Sequence, residues 1–136
     1  MNGSEKVQKI ESFINDRLRG DLRATLEAGD AVYAEISEYL ELQNLLEKFS
    51  EMKVKNANLD TMVDIGCNFY VKAKYLYVDI GLGFYLEMTH KEALAYIKER
   101  TELLNDRAEL FRKKSFEIKA RIKVCLEVIY ALWSDL

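Results

Sequence analysis

Few side chains in this sequence are of a kind and spacing that could do chemistry. His90 is the only histidine. Thr89-His90-Lys91-Glu92 places it in the opening turn of a helix, with no second histidine for a triad or a metal set. The two cysteines are Cys67, inside a turn-forming phrase, and Cys125, late in a helical pattern. Neither has a base to make it a thiolate, and no structural disulfide is expected between them. Gly81-x-Gly83 has the look of a phosphate-loop fragment, but that chemistry needs a helix N-terminus directly behind the glycines. Phe84-Tyr85-Leu86-Glu87 continues as a strand instead. Glu35 and Glu38, and Asp64 and Asp79, offer carboxylates without a cleft, and we take them as solvated surface. Tyr70, Tyr75, Tyr77 and Tyr85 could stack bases, yet no basic groove lies beside them, which favours a protein-facing role. The sequence therefore assigns no catalytic, metal or cofactor residue, and a non-enzymatic protein is expected.

The residues that stand out do so by repetition. Val63-Asp64-Ile65-Gly66-Cys67-Asn68-Phe69-Tyr70-Val71 is followed by Val78-Asp79-Ile80-Gly81-Leu82-Gly83-Phe84-Tyr85-Leu86. Each copy is an alternating run, a tight break and a second alternating run, the signature of a β-hairpin. Gly66 and Asn68, and Gly81 and Gly83, are the turn residues, because they tolerate positive φ. By parity, Val63, Ile65, Phe69, Val71 and Ala73 share an apolar face, as do Leu76, Val78, Ile80, Phe84, Leu86 and Met88. The polar face takes Asp64, Asn68, Tyr70, Lys72, Tyr75, Tyr77, Asp79, Tyr85 and Glu87. Parity slips by one near Lys74, which predicts a bend or bulge dividing the hairpins there.

The surrounding chain is helical in pattern. There is no proline, and charged residues make up 32% with a net charge of −3, both signs interspersed. That balance argues against nonspecific nucleic-acid binding. No apolar run approaches the ~20 residues needed to span a bilayer, and the N-terminus has no signal-peptide core, so a cytoplasmic or nuclear location is expected. Over 4–52, Val7, Ile10, Ile14, Leu18, Leu22 and Leu26 recur at three and then successive fours, which suggests a stripe near an eleven-residue period. The stripe resumes through Val32 or Tyr33, Ile36, Tyr39, Leu40, Leu46 and Phe49, with Gly20 and Gly29 as weak points. Residues 53–61 form a polar connector into the hairpins, which occupy 62–89. Thr89 and Glu92 have capping-box form and open a second helix over 90–133.

That second helix carries a seam of alternating threes and fours: Leu94, Ile97, Thr101, Leu104, Ala108, Phe111, Ser115, Ile118, Ile122, Cys125, Ile129 and Leu132. A sustained 3.5-residue repeat predicts a left-handed coiled coil. Two long helices flanking two hairpins should return antiparallel as one arm, giving an α+β chain with a single domain over 1–136. Near the end the pattern changes, because Val124, Leu126, Val128, Tyr130 and Trp133 are apolar at positions the seam does not use. Val7, Ile10 and Phe13 from the first helix could cover part of this patch but not all of it. The remainder is expected to contact a client or neighbouring subunit, with Val124, Val128, Tyr130 and Trp133 as the contact residues.

Helix, two short hairpins and helix is a layout that resembles the α-class subunits of prefoldin, over nearly the whole chain. The resemblance is sharpest at Asp64-Ile65-Gly66-Cys67-Asn68-Phe69-Tyr70-Val71 and Leu82-Gly83-Phe84-Tyr85-Leu86-Glu87. It extends to Val32-Tyr33 through Tyr39-Leu40-x-Leu42-x-Asn44 and to Glu92-Ala93-Leu94-x-x-Ile97. The connection Ala73-Lys74-Tyr75 is shorter than the family pattern. The resemblance implies that the hairpin residues Val63, Ile65, Phe69, Val71, Leu76, Val78, Ile80, Phe84, Leu86 and Met88 join sister subunits in a β-platform. Such assemblies are heterohexamers of α-type and β-type subunits whose helical arms hold non-native client proteins without hydrolysing ATP. The prefoldin-like subgroup is further associated with AAA+ ATPase and Hsp90 co-chaperone machinery and with assembly of multi-subunit complexes. An alternative implied role is a nuclear transcriptional co-regulator that binds transcription factors through its coiled coil. No cofactor, direct nucleic-acid contact or membrane contact is implied.

Overall fold

The computed structural model describes residues 2–52, 61–72 and 75–135. The expected connector, except Thr61, and the bend placed at Ala73 and Lys74 lie outside the described residues. The chain opens with α1 (Gly3–Phe13), passes through a π-turn (Ile14–Leu18) and continues as α2 (Arg19–Met52). Four strands follow: β1 (Val63–Gly66), β2 (Phe69–Lys72), β3 (Tyr75–Gly81) and β4 (Phe84–Met88). A 45-residue helix, α3 (His90–Ser134), completes it. Asn2 caps α1, its Oδ1 accepting from the Glu5 N–H at 2.8 Å, and Thr89 Oγ1 accepts from the Glu92 N–H at 3.1 Å to start α3. Both satisfy a helix-start amide that has no partner within its own helix.

Two compact units divide the chain. The first comprises Met1–Val32 and Asp106–Leu136. Its core is Val7, Ile14, Leu18, Ile118 and Ile129, with Ile10, Leu22, Ile122, Cys125 and Leu132 packed against it. The run of fours from Ile10 to Leu22 is handled locally and not by a slow drift of the stripe. In an α-helix each step of four overshoots a full turn by ~40°. The π-turn sits between Ile14 and Leu18, and its wider winding takes up the excess, so both side chains remain buried. After Leu22 the helix steps by three to Thr25, which is buried, whereas Leu26 is exposed. The expected place of Leu26 on the stripe is thus corrected: Thr25 holds it, with its hydroxyl donating to the Asp21 carbonyl at 2.8 Å. Gly29 follows, also buried, and a Cβ there would lie 3.6 Å from Phe111 Cβ. Both Gly20 and Gly29 lie within the unbroken α2.

The second unit is Tyr33–Asn105. Ile36, Tyr39, Leu42 and Leu46 of α2 are buried, as are Ala93, Ile97 and Leu104 of α3 and Phe69, Leu76 and Val78 of the sheet. Tyr33 and Leu40 are exposed, so Val32 and Tyr39 are the seam residues of those adjacent pairs. Phe69 meets Tyr96 edge-on at 5.6 Å between ring centroids. The sheet is one antiparallel meander in the order β1-β2-β3-β4. β2 pairs directly with β3, from Phe69↔Val78 to Lys72↔Tyr75, without a register shift. The bulges lie elsewhere, at Ile65 and Ile80, where the register passes from Asp64↔Tyr70 to Gly66↔Phe69 and from Asp79↔Tyr85 to Gly81↔Phe84. The β2–β3 register pairs odd- with even-numbered residues, so the parity of the inward positions differs by one between these two strands.

Both repeats close in the same way. The central residues are Cys67-Asn68 and Leu82-Gly83, all four at positive φ, as a type I′ hairpin turn demands. Gly66 and Gly81 precede them with φ of 107° and 95°, a region that strains any residue with a Cβ. Asp64 Oδ1 accepts from the Gly66 N–H at 2.9 Å, and Asp79 Oδ1 from the Gly81 N–H at 2.8 Å. The repeated aspartates therefore fix the two bulges.

Candidate interaction surfaces

The sheet carries an apolar face that is only partly covered. Cross-strand partners share a face, which unites Val63 with Val71, Leu76 with Met88 and Val78 with Leu86. Phe69 is 0% exposed, and Leu76 and Val78 are buried with it. Ile65, Val71 and Met88 are half-buried. Val63 at one margin is exposed, and along β4 exposure rises: Leu86 is 49% exposed, Phe84 66%, and Ile80 on the neighbouring bulge 63%. Among the described residues β4 is also an edge strand, and one row of its backbone N–H and C=O groups has no strand partner there. Apolar side chains beside an open edge are the two elements a further strand needs to dock. On the opposite face Tyr70 and Tyr85 meet edge-to-face at 5.6 Å.

In the first unit the seam of α3 is inward and its other apolar residues are not. Ala108, Ser115, Ile118 and Ile129 are buried, and Phe111, Ile122, Cys125 and Leu132 are half-buried. Ser115 resolves its polarity within the helix, its Oγ donating to the Arg112 carbonyl at 2.7 Å. In the second unit Ile97 and Leu104 are buried, Leu94 is half-buried, and Thr101 donates to the Ile97 carbonyl at 2.7 Å. Val124, Val128, Tyr130 and Trp133 are all exposed, as is Leu126. Phe13 does not cover them, since it is exposed itself. Sequence reasoning passed over Phe116, Leu103 and Leu110, which are exposed too. Leu103 and Leu110 stand seven apart off the seam, which could have flagged them.

Polar groups near the first turn are arranged for structure. Glu35 pairs with Arg100 at 3.6 Å, and the Tyr39 side chain beside Arg100 helps hold its guanidinium charged. Burial, followed by the neighbouring Tyr96, raises the Tyr39 phenol above its ordinary range. Burial and the carboxylates of Glu38, Glu35, Asp64 and Glu41 push the Cys67 thiol up to about 11. It is a free, half-buried cysteine, and near neutral pH it stays protonated and a poor nucleophile. Alkylation of Cys67 by iodoacetamide, followed by peptide mass, should be slow at pH 8 and accelerate only as pH climbs toward 11. In the urea-unfolded chain the acceleration should come about two pH units earlier. Equal profiles in the two states would contradict the carboxylate environment.

An open groove of ≈ 360 Å³ runs between helices of the second unit, lined by Gln43, Glu47, Leu94, Ala95, Lys98, Thr101 and Glu102. Its charged groups, Glu47, Lys98 and Glu102, are of mixed sign. Among the described residues no three His, Cys, Asp or Glu side chains are placed to hold a metal ion. No described helix is long and apolar enough to cross a membrane.

A four-stranded antiparallel meander between two long helices, with its apolar face open at the edge, is the setting in which the family comparison falls. The description "Prefoldin subunit" matches residues 22–131, and the chain belongs to the prefoldin family. Among individual proteins it is similar to "Protein UXT" of Homo sapiens, 41% identical over 128 residues, which is 90% of this chain and 80% of that protein. It is likewise similar to "Protein UXT homolog" of Nematostella vectensis, 33% identical over 127 residues, and of Dictyostelium discoideum, 36% over 123. These alignments cover 90% and 87% of this chain, and 80% and 75% of the respective relatives.

Proposed function

We propose that this chain is a non-catalytic α-type subunit of a prefoldin-like hetero-oligomeric co-chaperone. In this reading all 136 residues act as one prefoldin-like domain, and α1–α2 and α3 form an antiparallel coiled-coil arm. The β-meander joins β-type sister subunits, and the end of α3 contacts non-native or unassembled client proteins. The observation that carries the reading is the exposed apolar margin of Ile80, Phe84 and Leu86 beside the open edge of β4, in a chain of the prefoldin family. An apolar margin left in water favours association. Client transfer to AAA+ or Hsp90 machinery, and action in both cytoplasm and nucleus, belong to the same proposal.

Affinity purification of the tagged chain with mass spectrometry tests it. Prefoldin and prefoldin-like subunits should be recovered in near-stoichiometric amounts, while the chain expressed alone should self-associate by light scattering. Recovery of transcription factors without any prefoldin-type subunit would favour the co-regulator role instead. A monodisperse isolated monomer would count against the platform.

A further inference from the structure

Beside its buried seam, α3 has a second three-four repeat that faces solvent. Its first half is Arg112, Phe116, Lys119 and Lys123, at spacings of four, three and four. Its second half continues in phase with Leu126, Tyr130 and Trp133. All seven are exposed, and all lie in the first unit. Such spacing puts them on one stripe of the helix, ~32 Å long at ~1.5 Å per residue. Phe116 is framed by two cations, with the Arg112 guanidinium and the Lys119 ammonium each 5.6 Å from its ring centroid. Arg112 also pairs with Glu109 at 3.0 Å, an exposed contact that a partner carboxylate can replace. Charge is concentrated here: residues 112–123 hold six basic side chains against one acid, in a chain whose net charge is −3.

The stripe is segregated lengthwise, cationic toward Arg112 and aromatic toward Trp133. A bilayer lies tangent to a helix along its whole length and calls for segregation around the axis, with basic residues flanking an apolar face. A rod-shaped partner of fixed polarity matches lengthwise segregation, because each of its ends meets one chemistry. We propose that this stripe is a docking seam for an amphipathic helix of a partner protein. That helix carries acidic residues where it meets Arg112, Lys119 and Lys123, and apolar residues where it meets Leu126, Tyr130 and Trp133. This deepens the client-contact reading of the α3 end and rests on it, replacing general apolar capture with preference for acidic, helix-forming segments.

The test uses the full chain co-expressed with its sister subunits, or alone at low concentration, and fluorescein-labelled peptides of three heptads. One peptide has Glu on the seam of its first half and Leu on that of its second. A second has Lys for Glu, and a third has the first composition scrambled. Fluorescence anisotropy should show the acidic peptide binding at least tenfold more tightly than either control, and weakening as salt rises. Trp133 is the only tryptophan of the chain, so its emission should shift on binding in the isolated chain. Combined Arg112→Glu, Lys119→Glu and Lys123→Glu should lose the acidic peptide by tenfold or more and gain the Lys peptide, a swap that a merely unfolded variant cannot give. Charge-insensitive peptide binding, or an unmoved Trp133, overturns the proposal. So does tighter binding to phosphatidylserine vesicles or single-stranded DNA than to the acidic peptide, or dimerisation of the chain through the stripe. If Val128, Tyr130 and Trp133 prove dispensable for suppressing client aggregation while the charge swap holds, the client reading fails and the docking seam stands.

Discussion

Phe84→Asp is expected to leave the chain folded and to remove its sister subunits, while Phe69→Asp is expected to unfold the sheet. The two phenylalanines share a parity class in the sequence but not an environment. Phe69 is fully buried against Tyr96, so aspartate there loses ~3–5 kcal/mol of aromatic packing and adds the desolvation of an unpaired charge. That sum rivals the ~5–15 kcal/mol that stabilises a domain. Phe84 is mostly in water, and its substitution should change the stability of the chain by no more than about 0.5 kcal/mol. In an assembled platform, however, the carboxylate would be buried without a partner. A cost of about 3 kcal/mol corresponds to a ~100-fold loss of affinity. Far-UV circular dichroism and co-purification separate the outcomes. Tyr70→Ser, on the other face, removes one edge-to-face contact and should be milder on both readouts. Retained co-purification by Phe84→Asp would place the subunit interface elsewhere.

The second large effect is expected at the end of α3. Replacing Val128, Tyr130 and Trp133 together by serine should leave assembly intact and reduce suppression of client aggregation severalfold. Truncation after Glu127 would be a poorer experiment, because it also removes Ile129 and Leu132 from the core of the first unit. The three substituted side chains are exposed, so serine should cost little stability. Thermal melts of the assembled complex check that condition, and a light-scattering assay with a chemically unfolded client reads the function. Undiminished suppression would deprive these residues of a client role.

The long seam of α3 was legible because each buried position is apolar or a small hydroxyl that bonds back to its own helix, and neither glycine nor proline interrupts it. The α2 seam was harder to see. Thr25 and Gly29 occupy two of its inward positions, and neither looks like core by type. Leu26, Tyr33 and Leu40 stand seven apart on an exposed face, an apolar repeat that imitates a seam. In the sheet, alternation identified the strands but did not place the bulges at Ile65 and Ile80. Nor could it tell buried Phe69 from exposed Phe84, because a period of two reports only which face a residue occupies. How much of that face is covered depends on the distance to the helices, which is set by the whole chain. The turn residues were clear in type, yet the strained central pairs include Cys67 and Leu82, which no turn preference selects.

The π-turn at Ile14–Leu18 has a consequence for how this chain tolerates changes in length. A turn closed from i to i+5 holds one residue more than the α-helix around it needs. Deleting a residue there, Asn15 for instance, returns the segment to ordinary winding and leaves α1 and α2 facing as before. The same deletion beyond Leu22 would turn every following side chain of α2 by ~100° and carry Leu42 and Leu46 off the core. The helix thus has an expansion joint near its start, where descent can insert or remove a residue while the packing on either side stays in phase.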